Sequence, residues 1–563
     1  MKKVLPTLVI LILIGVLGTV FYQNYFVKFT YSEEKVDLNL YYEVEGEDDY
    51  PVILQDQWSD YHAKKIGEQY YLDFETVYSL LNNRFYYGEE DGLLCYCLPE
   101  TRITAKVGES SWTDSTGAET KEQYAICVKE EDTLYVALDF VRKYTNFSYQ
   151  AFTEPNRLSL YNTFGEREVA QMTKTTNIRA SGGVKSKVVS EVTEGSKVVV
   201  IERMDNWSKV VTEDVMIGYV ENRKMTEPAA EAMTPVTDYQ EPEYKRTALD
   251  GKVNMVWHSI AGAAGNATFV ERIDRTKSVN VVAPTWLTIL NEEGSVEVRA
   301  TQEYVDAAHE RGMAVWAVLD NFNGADGVQQ KFMSLDASRS AVISKSIDTV
   351  KEMGIEGINV DIEGLTDKYG RDYIEFIREL SIACRNNGIV MSVDNYVPYN
   401  FNNYYRLDEQ GVFADYVVIM GYDEHYAGSK EAGSVASIGY VTYGIEEALK
   451  SVKAEKLING IPFYSRIWKT AADGVSSEAY GMNEIQSFIA NHGMTVEWKA
   501  ATGQNYAEVS EDEATYQIWI EDADSIETKL EVMQAHSIAG VAEWCLGMES
   551  SDVWGVIADY MEK

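Results

Sequence analysis

Cysteine is scarce in this chain, with five among 563 residues: Cys95, Cys97, Cys127, Cys384 and Cys545. None belongs to a C-x-x-C, and so few thiols in so long a chain form no disulfide framework. Cys384 and Cys545 fall in apolar stretches and read as buried thiols, while one pair among the first three is open to bridging. Histidine is sparse too, six residues without metal-ligand spacing, so neither a metal centre nor a cofactor is expected. Positive charge is in deficit: 50 Lys and Arg stand against 89 Asp and Glu, a formal net charge of −39. That balance excludes recognition of nucleic acid or anionic lipid through a basic surface. A long apolar run occurs near the N-terminus, from Val4 to Tyr22, and no charge follows it until Lys28.

Core material is ample. Hydrophobic residues make up 45% and aromatics 12% of the chain, and its length points to two to four domains. The 38 Tyr and 11 Trp are for the most part ordinary packing residues, although aromatic faces also suit sugar rings. The N-terminal run has about the 20 residues needed to cross a bilayer as a helix. Gln23 to Phe26 then follow, bulky and without an A-x-A-like cleavage site. We therefore expect an uncleaved, single-pass anchor of a bacterial cell membrane over residues 1–28, with residues 4–22 in the bilayer. Lys2 and Lys3 place the short N-terminal side in the cytoplasm and the bulk of the chain outside. A cleaved signal and a secreted product is the alternative.

Residues 29–165 carry a weak internal repeat. The stretch 70–77 (YYLDFETV) is followed by Phe85-Tyr86-Tyr87 and Leu93-Leu94-Cys95-Tyr96; the stretch 134–141 (LYVALDFV) is followed by Phe147-Ser148-Tyr149 and residues 157–161. Each copy reads strand, short helix, strand, turn, strand. This α+β stalk resembles the copper amine oxidase N-terminal-like domain, which implies a spacer or wall-contact module; no copper ligand cluster accompanies it. Residues 166–226 break into five short β segments with Asn177-Ile178-Arg179, Trp207-Ser208-Lys209-Val210 and Gly218-Tyr219-Val220. They resemble a bacterial SH3 domain, which implies contact with wall peptide or glycan, or a second spacer. Residues 227–250, with Pro228, Pro235 and Pro242, read as a semi-extended linker.

From Lys252 onward strand and helix patterns alternate, which argues for a parallel sheet. Strands are predicted over 253–260, 279–286, 313–322, 357–363, 389–396, 416–423, 457–464 and 539–547. Eight strands with helices between them make a (β/α)8 barrel over residues 251–563. Residues 465–524 are too long for a bare loop and read as a small α+β insertion after strand seven. In such a barrel, catalytic groups stand at the C-terminal strand ends. Here those ends are Trp286, Asn321, Asp361 with Glu363, Asp394 with Tyr396, Met420 with Tyr422 and Asp423, Tyr464, and Trp544. The fourth strand is unusual: its side-chain alternation puts Asn359, Asp361 and Glu363 on one face and Ile358, Val360 and Ile362 on the other. Buried carboxylates cost several kcal/mol unless partnered or held neutral.

Residues 356–363 (EGINVDIE) resemble the D-G-x-D-x-D-x-E of glycoside hydrolase family 18, the chitinases and related N-acetylglucosaminidases. The last Asp and the Glu are present, whereas Glu356 and Asn359 replace the first two acids. Met420-Gly421-Tyr422-Asp423 resembles the family's M-x-Y-D. Residues 460–466 (GIPFYSR) resemble its G-x-P-x-Y-G-R, and Gly540-Val541-Ala542-Glu543-Trp544 its closing strand. The resemblance implies a substrate-assisted retaining glycosidase. Glu363 would protonate the glycosidic oxygen and later deprotonate water. Its pKa would be raised by burial and by Asp361, which would orient the acetamido group and stabilise the intermediate, with Tyr422 aligning that group. Asn359, Trp286, Met420, Asp423, Tyr464, Arg466 and Trp544 would line the substrate, Trp544 as its floor. Trp286 and Tyr464 are open to a plain core role and Met420 to plain packing. The N-x-D-x-E form also resembles the spore-cortex and cell-wall branch of the family. With the anchor and the SH3-like module it points to peptidoglycan as partner, at the cell wall. A chitinase-like enzyme acting on chito-oligosaccharides and a non-catalytic glycan-binding protein stay open as alternatives.

Overall fold

The computed structural model describes residues 4–234, 237, 239–322 and 329–563. Lys2, Lys3 and Pro235, on which the orientation and the linker reading partly rest, lie outside the described residues. The chain divides into two compact units. One comprises Met1–Phe85, Ala105–Trp112 and Glu119–Glu241; the other comprises Tyr86–Thr104, Thr113–Ala118 and Pro242–Lys563.

The first unit begins with a helix over Val4–Phe21 that runs on as a π-helical segment, Tyr22–Val27. Its stretch Thr7–Val27, 21 residues of mean hydropathy 1.9, is long and apolar enough to cross a membrane and is not buried among the described residues. Two seven-stranded sheets follow. The first has the order 148–152, 157–161, 49–54, 57–66, 69–73, 133–137, 127–130, and the second contains the five strands expected over 176–220. Stalk and SH3-like residues share one core, in which Tyr42 and Ile53 pack with Ile178, Val210 and Ile217. Tyr42 donates its hydroxyl to Val215 O at 3.1 Å, and buried Arg157 donates Nε and Nη2 to Asp214 O at 3.0 and 2.6 Å. The apolar faces of the two sheets thus meet in one core across residue 165. The linker reading is corrected at its start. Ala229–Ala232 is a strand, pairing antiparallel with residues 166–169. All five cysteines are free, buried thiols.

The second unit is built on eight strands: β1 (Val253–His258), β2 (Val281–Ile289), β3 (Ala314–Asp320), β4 (Gly357–Asp361), β5 (Val390–Tyr396), β6 (Tyr416–Met420), β7 (Leu457–Pro462) and β8 (Gly540–Trp544). Successive strands pair in parallel and β8 pairs with β1, closing a barrel. Its principal helices are α1 (Gln302–His309), α2 (Asp336–Met353), α3 (Gly370–Asn387), α4 (Ile438–Ala448), α5 (Ala523–His536) and α6 (Val553–Glu562). The expected insertion is a five-stranded antiparallel sheet, order 474–481, 464–471, 514–520, 504–511, 495–499, with a helix over Met482–Asn491.

Alternation sorts the barrel side chains. Ile358, Val360 and Ile362 join Ala317, Leu319, Val393 and Ile419 in the layer under the helices, whereas Trp257, Trp316, Val318 and Tyr416 fill the barrel itself. Gly357 is required by this filling: a Cβ there would stand 2.4 Å from Cδ1 of Trp316.

Tyr86–Thr104, read in sequence as stalk, belongs to the barrel unit and lies along α2 and α3. Tyr86 donates to Asp372 Oδ1 (2.7 Å), Cys97 Sγ meets Glu375 Oε1 (3.4 Å) and Arg102 Nη1 meets Glu379 Oε1 (2.5 Å). Behind them, buried Arg339 pairs with Glu379 at 2.9 Å, and buried Arg378 with Glu409 at 2.7 Å.

Candidate active site

β4 ends at Asp361, two residues short of the expected strand, so Glu363 sits on the turn just beyond the barrel rim. Asn321 fixes it there: its side-chain oxygen accepts Glu363 N–H at 3.0 Å and its amide donates to Glu363 O at 2.9 Å. The Glu363 carboxylate accepts the Tyr396 hydroxyl at 2.7 Å through Oε2. Burial pushes the Glu363 pKa up, the Tyr396 hydrogen bond pulls it down, and the Asp423 carboxylate adds to the rise. The like-charge interaction between Glu363 and Asp361 expected from the sequence is present as well, and its effect falls on Asp361.

Asp361 is 4% exposed, and its Oδ1 has no hydrogen-bond partner among the described residues. Burial comes first, then the like charges of Asp394, Glu363 and Asp320, in holding its pKa well above the carboxylate range. Asp320, at the end of β3, is raised to about 6, chiefly by burial. Asp394 on β5 is raised to about 8, again chiefly by burial.

An aromatic wall stands beside these acids. Trp544 lies 6.0 Å from Trp257, Trp257 lies 6.4 Å from Tyr422, and Tyr422 lies 6.4 Å from Tyr464, measured between ring centroids. Trp544 and Tyr422 are half-buried, and the Tyr422 hydroxyl makes no hydrogen bond among the described residues. Tyr464 donates to Asp423 Oδ1 at 2.6 Å, and Arg466 Nη2 lies 3.9 Å from the same oxygen.

Three of the expected substrate residues are buried. Trp286 is fully enclosed, its Nε1 donating to Asn266 Oδ1 at 2.8 Å and its ring packed on Tyr304; it is core. Asn359 is fully enclosed too, accepting from Trp257 Nε1 (2.9 Å) and donating to Ser392 Oγ (2.9 Å) and Asp394 Oδ1 (2.8 Å). It lies beneath the site rather than against substrate. Met420 is 7% exposed and lines the rim with little free surface. Asp320, Trp257 and a role for Asp394 went unread. Their signal was positional: each occupies an inward register position near a strand end. Among the described residues, no group of three or more His, Cys, Asp or Glu is disposed to hold a metal ion.

A parallel barrel that gathers carboxyl groups at its C-terminal rim, next to an aromatic wall, defines an acid–base enzyme of the (β/α)8 class. Residues 317–549 match the family described as Glycosyl hydrolases family 18, and residues 174–225 match Bacterial SH3 domain. The chain therefore carries a glycoside hydrolase family 18 domain, preceded by a bacterial SH3 domain. It is 28% identical over 280 residues to an uncharacterized glycosylase, YvbX, of Bacillus subtilis, covering 47% of this chain and 80% of that one. It is 22% identical over 256 residues to the cortical fragment-lytic enzyme of Bacillus subtilis, covering 44% of this chain and 59% of that one. Among solved structures, the C-terminal domain of a putative chitinase from Desulfitobacterium hafniense DCB-2 superposes with a TM-score of 0.51 at 18% identity, covering 55% of this chain and 100% of that domain. The Bacillus cereus spore cortex-lytic enzyme SleL superposes with a TM-score of 0.50 at 18% identity, covering 59% and 79%. These two structures share the fold.

Proposed function

We propose that this enzyme hydrolyses β-1,4 bonds after N-acetylglucosamine in cell-wall peptidoglycan, with the substrate's own acetamido group as nucleophile. The observation that carries this reading is the pair at the rim of β4. Asp361 is buried with an oxygen unpartnered among the described residues, two residues from Glu363, an acid whose pKa burial has raised. The Glu363 carboxyl gives its proton to the glycosidic oxygen while the acetamido oxygen closes on the anomeric carbon. Asp361 takes the acetamido N–H and offsets the positive charge of the resulting oxazolinium. The Glu363 carboxylate then removes a proton from the water that opens this ring, and both groups are restored. The free Tyr422 hydroxyl suits the acetamido carbonyl, and the half-buried Trp544 supplies an apolar floor. Asp423, Tyr464 and Arg466 shape the neighbouring wall.

Peptidoglycan is favoured over chitin by the SH3 domain, by the cortical fragment-lytic relatives and by the N-x-D-x-E form of the motif. The exposed apolar helix supports a membrane anchor with the catalytic unit outside the cell. Release of reducing ends from purified peptidoglycan and from chitin oligomers, by the intact chain and by Glu363→Gln, tests this. Muropeptides ending in N-acetylglucosamine, lost in the variant, are the expected result. Cleavage of chitin alone would refute the wall substrate. Binding without release from either would refute hydrolysis.

A further inference from the structure

We propose that Asp394, at the end of β5, is a positioning residue that shares one proton with Asp361 and receives it as the substrate becomes positively charged. This rests on the acid–base reading of Asp361 and Glu363 above. The register of β4 and β5 pairs Gly357 with Val390 and Val360 with Val393. Asp361 therefore stands level with Asp394, one strand spacing of about 4.8 Å away. Both are shut off from solvent, at 4% and 2% exposure. Each has one carboxyl oxygen without a partner among the described residues, Oδ1 on Asp361 and Oδ2 on Asp394.

Asn359 explains why the pair is set this way. Its oxygen is committed to Trp257 Nε1, and its amide donates to Ser392 Oγ and to Asp394 Oδ1. Oδ1 of Asp394 is thereby fixed as an acceptor, and Oδ2 is left as the oxygen that can carry a proton. An amide at 359 cannot itself exchange protons with Asp361, whereas the carboxyl it clamps can.

The surroundings enforce a single shared proton. Asp361 faces Asp394, Glu363 and Asp320, and Asp394 faces Glu363, Asn359 and Trp257. The hydroxyls of Tyr373, Tyr405 and Tyr422 also face the pair and stay neutral. No lysine, arginine or histidine among the described residues is part of this set. Two carboxyls side by side without a counter-cation do not both ionise near neutral pH. In turnover, the O–H of Asp361 breaks and one forms on Asp394 Oδ2. The pair keeps its net charge of −1, which now rests on Asp361 beside the oxazolinium. When water opens that ring, the proton returns.

The test uses the full chain in detergent, with chitin oligomers and peptidoglycan as substrates. Asp394→Asn keeps the volume and still offers an oxygen to Asn359, so a purely structural role predicts unchanged turnover. The proton role predicts that kcat falls about 100-fold with KM little changed, and that the alkaline step from the pair's second ionisation disappears from the kcat profile. The double variant Asn359→Asp/Asp394→Asn moves the carboxyl one register position and reverses the hydrogen bond between the two side chains; it should recover most of the lost kcat. Unchanged kcat and pH profile in Asp394→Asn, or a double variant no better than the single one, overturns the inference. If the melting curve shows that the single variant does not fold, the double variant alone decides. An intact chain that cleaves neither glycan overturns the hydrolase reading and this inference with it. Loss in Glu363→Gln alongside full activity in Asp394→Asn overturns only the inference.

Discussion

Replacing Tyr396 by Phe isolates one term of the Glu363 acidity. The Tyr396 hydroxyl donates to Glu363 Oε2 at 2.7 Å, and this bond favours the carboxylate, so it lowers a pKa that burial raises. A hydrogen bond to a charged group contributes about 1.5–3 kcal/mol. Tyr396 is 38% exposed, and water competing for both partners reduces that to about 1 kcal/mol. At 1.36 kcal/mol per pKa unit, the removal should raise the Glu363 pKa by about 0.7 unit. Glu363 must be protonated to act as an acid, so the alkaline limb of kcat/KM moves to higher pH by that amount. The assay is the pH dependence of kcat/KM for both proteins on one soluble oligosaccharide. An alkaline limb that stays in place, or moves to lower pH, would refute the assignment of Glu363 as the acid held by Tyr396.

Three further outcomes are expected. Asp423→Asn removes a negative charge that raises the Glu363 pKa, so the alkaline limb should move the other way, to lower pH, in the same assay. Arg378→Met leaves Glu375 and Glu409 buried without their shared cation and should destabilise the barrel unit by about 3–5 kcal/mol, read from denaturant midpoints. Glu543 is fully enclosed with both oxygens unpartnered among the described residues, and burial, aided by Glu549, holds its pKa well above the ordinary value. Its native state binds a proton that the unfolded chain releases, so its contribution favours folding at low pH and is lost as pH rises past the ordinary carboxylate range. Glu543→Met should therefore stabilise the protein by about 1–3 kcal/mol at neutral pH, with less gain at pH 4, by thermal unfolding across pH.

The sequence by itself determined the barrel, because period-2 strands alternating with helical stretches leave few ways to bury both kinds of apolar face. It also determined the rim pair Asp361 and Glu363, since a strand that alternates Ile358, Val360, Ile362 with Asn359 and Asp361 must send its polar side into the barrel. Motif position named Tyr422 and Trp544 as candidates as well. Only the tertiary structure decided depth. Asn359 and Trp286 stand on strands that reach the rim, yet packing by Trp257 and Tyr304 encloses them, and no local pattern encodes how far a neighbouring ring extends. The same holds across strands: Asp320, Asp361 and Asp394 are separated by more than 30 residues at each step, and parallel register alone sets them side by side. Tyr86–Thr104 read as stalk because its period matches its sequence neighbours. It joins the barrel unit because Arg102, Cys97 and Tyr86 meet acids of α2 and α3, of which Glu375 and Glu379 are buried, and such pairings between distant side chains exist only once the chain has folded.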